Sequence, residues 1–200
     1  MKSKITDFLI VIFSVLIFLP LLIFTGFIAN DKISLIIMTL IFIPTGMALV
    51  NGAPFVPTPM KRVRKMLETA GVKKGNTVYD IGCGDGRMVY LAANEFGANA
   101  TGYELSPLVY LLAIIRKFFW RSKAKIIFGN FKKKNLKNAD FIFCYLLPDT
   151  LKSLENKFKT ELNPGTKIVS YAFEIPYLKL IFKEERTKSE NFAPIWIYEV

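Results

Sequence analysis

The residues most able to do chemistry crowd into one short stretch. Gly82-Cys83-Gly84-Asp85-Gly86 puts three glycines into five residues, directly after the apolar run Thr77–Ile81, which itself carries one carboxylate, Asp80. A chain gives up that much backbone order where it must adopt dihedrals closed to other residues or let a ligand approach the main chain. A dinucleotide fingerprint would need a third glycine where Arg87 stands, and no GKS or GKT phosphate loop is present. The next acidic group at the end of an apolar stretch is Glu104, 18 residues after Gly86 in "TGYELSP". A carboxylate at that position can accept hydrogen bonds from both hydroxyls of a ribose. A glycine turn serving only the fold would explain the turn, but not Glu104. The chain has no histidine, which removes Ser-His-Asp and Cys-His catalysis and any histidine-ligated metal, so no metal is expected.

These residues need a scaffold, and the pattern around them supplies one. "TVYDIG" reads as a strand, Gly86 to Phe96 as a helix, "ANATGYE" as a strand and Pro107 to Arg121 as a helix. "AKIIFGN" and the buried run "DFIFCYLL" read as strands. Asp149 to Leu162 reads as a helix with Leu151, Leu154, Phe158 and Leu162 on one face, and "TKIVSYAF" as a strand. "LKLIFKE" and "PIWIYEV" look like a closing strand pair. Alternating strands and helices predict an α/β fold with a mostly parallel, Rossmann-like sheet and helices on both faces. In such sheets ligands bind beyond the carboxyl ends of the strands, where the glycines fall. Upstream, "NGAPFVPTP" is extended and stiff, Thr58-Pro59 resembles an N-cap with proline at the first helical position, and Met60, Val63, Leu67 and Ala70 recur at helical spacing before Gly71.

The first fifty residues are of another kind. Phe8 to Ala29 is uncharged over 22 residues, about 33 Å as a helix and enough for a hydrocarbon core of about 30 Å. After Asn30-Asp31-Lys32, Ile33 to Val50 adds 18 more uncharged residues. A three-residue break joins only antiparallel neighbours, so residues 1–50 are expected to form a transmembrane helical hairpin. The first run is too long for a signal h-region, and no cleavage site follows it. Lys2 and Lys4 precede the hairpin, while Lys61, Arg62, Arg64 and Lys65 follow it, so both termini and the domain after the hairpin are expected on the cytoplasmic side. Two cysteines, Cys83 and Cys144, make no disulfide framework and suit a reducing compartment. The chain holds 27 Lys plus Arg against 16 Asp plus Glu, a net charge of +11. Setting aside Lys2, Lys4, Lys32, Asp7 and Asp31, residues 51–200 keep 24 basic and 14 acidic side chains. That excess points to an acidic partner: nucleic acid, an anionic cofactor or an anionic membrane surface.

Residues 71–200 resemble the class I S-adenosylmethionine-dependent methyltransferases. "VYDIGCGDG" is similar to their first motif, "GYE" to their second acidic position, Gly129-Asn130-Phe131 to the segment beside the adenine, and "ADFIFCYLLP" to the fourth motif. The resemblance implies a seven-strand sheet and S-adenosyl-L-methionine as cofactor. It implies a cofactor site of Asp80, Gly82, Cys83, Gly84, Asp85, Gly86, Glu104 and Asn130. Asp80 would support the loop or meet the cofactor's ammonium through water, Glu104 would hold the ribose, and Asn130 would contact the adenine. Tyr145 would bound the methyl pocket by cation–π contact or serve as a core aromatic, and Glu174 would meet the substrate amine or remain a solvated loop carboxylate. No general base is assigned.

"PFVPTP", "DIGCGDGR" and "GYELSP" behind a membrane-inserted N-terminus look like one group of protein lysine methyltransferases, whose studied members modify the adenine nucleotide translocase and the c subunit of ATP synthase. That implies a membrane-protein substrate. Cys144-Tyr145-Leu146-Leu147-Pro148 departs from the Asn/Asp-Pro-Pro-Tyr/Phe pattern of methyltransferases acting on nucleobases or glutamine. Three rivals stay open: a lipid or isoprenoid-like acceptor, RNA, and an idle membrane scaffold. Lys123, Lys125, Lys132, Lys133, Lys134 and Lys137 suit anionic lipid, RNA or plain solvation, with lipid favoured beside a membrane hairpin. "PLVYLLAIIRKFFWRS" is apolar almost all round, and is expected to cover the sheet rather than lie in a bilayer interface.

Overall fold

The computed structural model describes Ile36, Thr39, Gly46 and residues 55–185 and 192–200. The predicted spans at 8–29 and 33–50 lie outside the described residues, apart from Ile36, Thr39 and Gly46, which are helical. Among the described residues no helix is long and apolar enough to cross a membrane.

Helix α1 (Met60–Ala70) leads into a seven-stranded sheet. The strands are β1 (Thr77–Ile81), β2 (Asn99–Glu104), β3 (Lys125–Phe128), β4 (Phe141–Cys144), β5 (Lys167–Tyr171), β6 (Lys179–Glu184) and β7 (Ile195–Glu199). Their order across the sheet is β3-β2-β1-β4-β5-β7-β6. The first five run parallel, and β7 inserts antiparallel between β5 and β6. Helices α2 (Arg87–Asn94), α3 (Pro107–Phe119), α4 (Pro148–Ser153) and α5 (Glu155–Glu161) fill the crossovers. The chain order reverses between β1 and β4, the place where a parallel sheet opens a crevice for ligands.

Strict alternation on the fully buried β4 shows why both faces must be covered. Phe141 and Phe143 join one core with Val63 and Leu67 of α1 and Val89 and Leu91 of α2. Ile142 and Cys144 join the other, with Leu151, Leu154 and Phe158 of the α4–α5 segment. A strand buried on both sides has no solvent face on which to place polar residues.

The differences from the sequence expectations are local. Helix α1 starts at Met60, with Pro59 rather than Thr58 in the capping position at φ −55° and ψ 138°, and no side-chain cap forms. Its end at Gly71 is as expected, with φ 83°. The helix expected over Asp149–Leu162 breaks at Leu154 into α4 and α5, but its four apolar residues remain on one buried face. No helix lies between β5 and β6, as the short "EIPY" link anticipates.

Candidate functional site

The glycine loop stands between β1 and α2 at the open end of the sheet. Gly82, Gly84 and Gly86 all have positive φ, at 90°, 57° and 80°. The need is clearest at Gly86, where an added Cβ would stand 2.9 Å from Ile126 Cδ1. At Gly84 an added Cβ would stand 2.8 Å from the Phe55 ring, so the proline-rich lead packs directly on the loop. Arg87 holds the two together. Its guanidinium chelates Asp85 and donates to the Thr58 carbonyl at 2.6 Å.

The loop's own donors are largely spent. The amides of Gly82 and Cys83 donate to the Tyr103 carbonyl, each at 3.0 Å, and that of Gly86 to the Cys83 carbonyl at 2.9 Å. The Gly84 amide donates to Glu104 Oε2 at 3.0 Å, and the Arg87 amide to Asp85 Oδ1 at 3.3 Å. A phosphate cradle requires such N–H groups to be free. The acceptors tell the opposite story. Asp80 is buried, and no described residue donates a hydrogen bond to its carboxylate. Burial first, then the charges of Glu104 and Asp85, push its pKa up to about 8. Glu104 spans the loop and the start of α3, accepting from Gly84 and, at 2.8 Å, from the Ser106 amide. Burial raises the Glu104 pKa, and backbone N–H groups of Ser106, Gly84 and Leu105 pull it back. Three backbone donors on two oxygens leave acceptor capacity to spare. The anionic cofactor suggested by the overall charge therefore does not suit this pocket. A ligand bearing a cation and hydroxyl donors does.

The remaining expected residues divide. Asn130 lies beside Glu104, because the Gly129 amide donates to the Glu104 carbonyl at 2.8 Å. Its Oδ1 accepts from the Lys132 amide at 2.9 Å, capping a 3₁₀ turn over Phe131–Lys133. Cys83 turns its thiol inward against Gly102, where any Cβ would meet it at 2.6 Å. Only the Cys83 backbone belongs to the loop surface. The Asp85 carboxylate is taken by Arg87 and Arg116, so it pins the loop rather than facing a ligand.

Tyr145, just beyond β4, is half-buried in an aromatic group that sequence reasoning missed. Its ring lies 5.0 Å from Tyr171 at 76° and 6.3 Å from Phe173. Burial and the neighbouring Tyr171 raise its pKa, keeping it neutral. Ala172 adopts φ 72°, rare outside glycine, between Tyr171 and Phe173, and the Ser170 hydroxyl donates to the Phe173 carbonyl at 2.6 Å. Strained residues persist where surrounding structure fixes them, often beside a site. The only sequence signal was aromatic spacing at the end of "SYAF". Glu174 is exposed beyond this turn and faces solvent. Phe55 was missed too, although it stands in the quoted "PFVPTP".

A profile of the ANTKMT methyltransferase domain matches residues 80–181, about half of the chain. The chain is 41% identical over 132 residues to a protein-lysine N-methyltransferase of Saccharolobus islandicus, covering 64% of this chain and 82% of that protein. It is 30% identical over 151 residues to the mouse lysine N-methyltransferase for the c subunit of ATP synthase, covering 74% of this chain and 58% of that enzyme. Among solved structures, an RNA methyltransferase from Salinibacter ruber bound to S-adenosyl-L-homocysteine superposes with a TM-score of 0.67 at 28% identity, over 72% of this chain and 94% of that one.

Proposed function

Because this chain belongs to the ANTKMT methyltransferase-domain family of S-adenosylmethionine-dependent methyltransferases, we propose that it methylates lysine on a protein at a membrane. The observation that carries the lysine assignment is the 41% identity over 132 residues to a protein-lysine N-methyltransferase.

The acceptor groups of the pocket suit this cofactor. The buried Asp80 carboxylate would take the ammonium, the spare acceptor capacity of Glu104 would take the ribose diol, and Asn130 would meet the adenine edge. S-Adenosylmethionine supplies a methyl group already activated on a sulfonium, with a neutral thioether as leaving group. The protein's task is then alignment and the exclusion of water. Tyr145 and Phe173, backed by the buried Tyr171, offer ring faces to a cation, which guides a lysine ammonium toward the loop. Desolvation on entering the pocket disfavours the charged amine, so the lysine would lose its proton to bulk water before attack.

The membrane part of the proposal rests on the two uncharged runs in residues 1–50 and their cationic flanks, with the catalytic domain facing the cytoplasm. Ala53 to Pro59 spans at most about 25 Å. A domain on so short a lead meets lysines at the membrane edge at high effective concentration. The Salinibacter ruber structure and the lysine-rich segment give RNA a specific claim as second reading. One experiment separates the acceptors: incubate the enzyme with radiolabelled cofactor and cell membranes, then extract protein, lipid and RNA. The proposal expects label in protein. Label confined to RNA or lipid overturns it.

A further inference from the structure

Helix α3 is built inside out. Leu108, Leu111, Ile115 and Phe118 follow one another at steps of three, four and three, and Phe119 lies on the same side, so all share one helical face. Leu111 is 55% exposed, Phe118 79% and Phe119 75%. The face carries no charge. Arg116 points elsewhere: it reaches inward to Asp85 of the glycine loop and lies over the Trp120 ring. Only Ala113 of α3 is fully buried against the sheet. Helix α1 shows the ordinary arrangement in the same chain, with Lys61, Arg64, Lys65 and Glu68 outside and Val63, Met66, Leu67 and Ala70 inside. The expectation that α3 covers the sheet thus holds for its inner side and leaves its outer side unexplained.

Around the end of this face the chemistry changes from apolar to cationic. Ile114, Phe118 and Phe119 share an open cleft of about 620 Å³ with Lys117, Arg121 and Ser122. Exposed Lys123 and Lys125 continue the basic edge toward β3, where Phe128 is also exposed. An apolar stripe bordered by cations and a hydroxyl matches the boundary between acyl chains and anionic headgroups. We propose that the outer face of α3 lies in the headgroup–acyl boundary of an anionic bilayer, as a second membrane contact separate from residues 1–50. This rests on the membrane-tethered reading for the presence of a bilayer; the face itself is read from α3 alone. Since Arg116 ties α3 to Asp85, the contact seats the glycine loop about one helix diameter, roughly 10 Å, from the headgroups. The acceptor is then a lysine at the membrane surface rather than on a distant soluble domain.

The test uses the full chain reconstituted in phosphatidylcholine vesicles containing a quarter phosphatidylglycerol. Single spin-labelled cysteines replace Ile115, Phe118 or, as a control, Lys65; Cys83 and Cys144 are buried and do not compete for label. Collision with oxygen and with a water-soluble nickel chelate is then measured. The proposal expects labels at 115 and 118 to lie about 5–10 Å below the headgroups, with nickel collisions at least ~5-fold fewer than at 65. If the chain floats with vesicles but 115 and 118 are as nickel-accessible as 65, the tether stands and this face falls. If 115 and 118 are shielded from both oxygen and nickel, protein covers the face, and the lipid proposal falls. If the chain does not float with vesicles at all, both the tether and this face are overturned.

Discussion

Asp80 offers a prediction whose size follows from its surroundings. Its carboxyl is buried, receives no hydrogen bond from the described residues, and has a pKa near 8. Ligand cations bind the ionised form. Without ligand, a group with pKa 8 is about 1% ionised at pH 6 and about 9% at pH 7, so cofactor affinity should rise ~9-fold between them. Over that interval the cofactor's own α-amino group stays largely protonated, with an ordinary pKa of about 7.7–8.0, and contributes little slope. Binding should also release about one proton per site. Isothermal calorimetry on the full chain in detergent, repeated in two buffers of different ionisation enthalpy, reads both quantities. Asp80→Asn should flatten the profile and abolish the proton release. The sign for the ligand-free fold is opposite: a raised carboxyl pKa contributes stability that is present below pH 4 and is lost as pH rises through 8, so Asp80→Asn should raise the melting temperature at pH 8. A change in affinity under ~2-fold between pH 6 and 7, or a slope that survives in Asp80→Asn, would refute the assignment of Asp80 to the cofactor's cation.

Gly86→Ala should lower stability by about 1–3 kcal/mol, read as a drop in denaturation midpoint, because it forces φ 80° on a residue with a side chain and drives a methyl against Ile126. Tyr145→Leu should leave cofactor affinity within about twofold but slow methylation ~5–30-fold, the value of a cation–π contact of about 1–2 kcal/mol; a matching loss of cofactor binding would place Tyr145 on the other side of the pocket. A cysteine introduced at Asn30 should react with a membrane-impermeant thiol reagent added outside intact cells, whereas one near the C-terminus should not; the reverse pattern would overturn the cytoplasmic orientation.

What the sequence made legible was local. The strand, glycine triplet and helix at 77–97, and Glu104 at the next strand end, are set by spacing within a few turns of chain, and they stand where expected. The direction of each side chain was not legible, because it depends on partners far along the chain. Asp85 and Gly84 are neighbours, yet Asp85 is drawn away by Arg116, 31 residues on. Cys83 is drawn inward by the space that Gly102 leaves on β2. Phe55 packs on Gly84 beside the Thr58 carbonyl, which Arg87 holds from 29 residues along the chain. The aromatic group needs three residues from two strand ends, brought together by the pairing of β4 with β5. The apolar run of α3 was visible, but hydropathy does not say which side of a helix meets the sheet. The net positive charge misled about the pocket, since it sums a lysine-rich surface with a site that is locally acidic.

The central claim is that this pocket delivers a methyl group to a lysine side chain. The most direct measurement is chromatography of the amino acids released by hydrolysis from protein labelled with radioactive cofactor, using the full chain beside Glu104→Ala. The account predicts label in methylated lysine, and its loss in the variant, where the Gly84 and Ser106 amides lose their acceptor and the ribose its carboxylate. Label in methylated arginine, or undiminished methyllysine with Glu104→Ala, would contradict it.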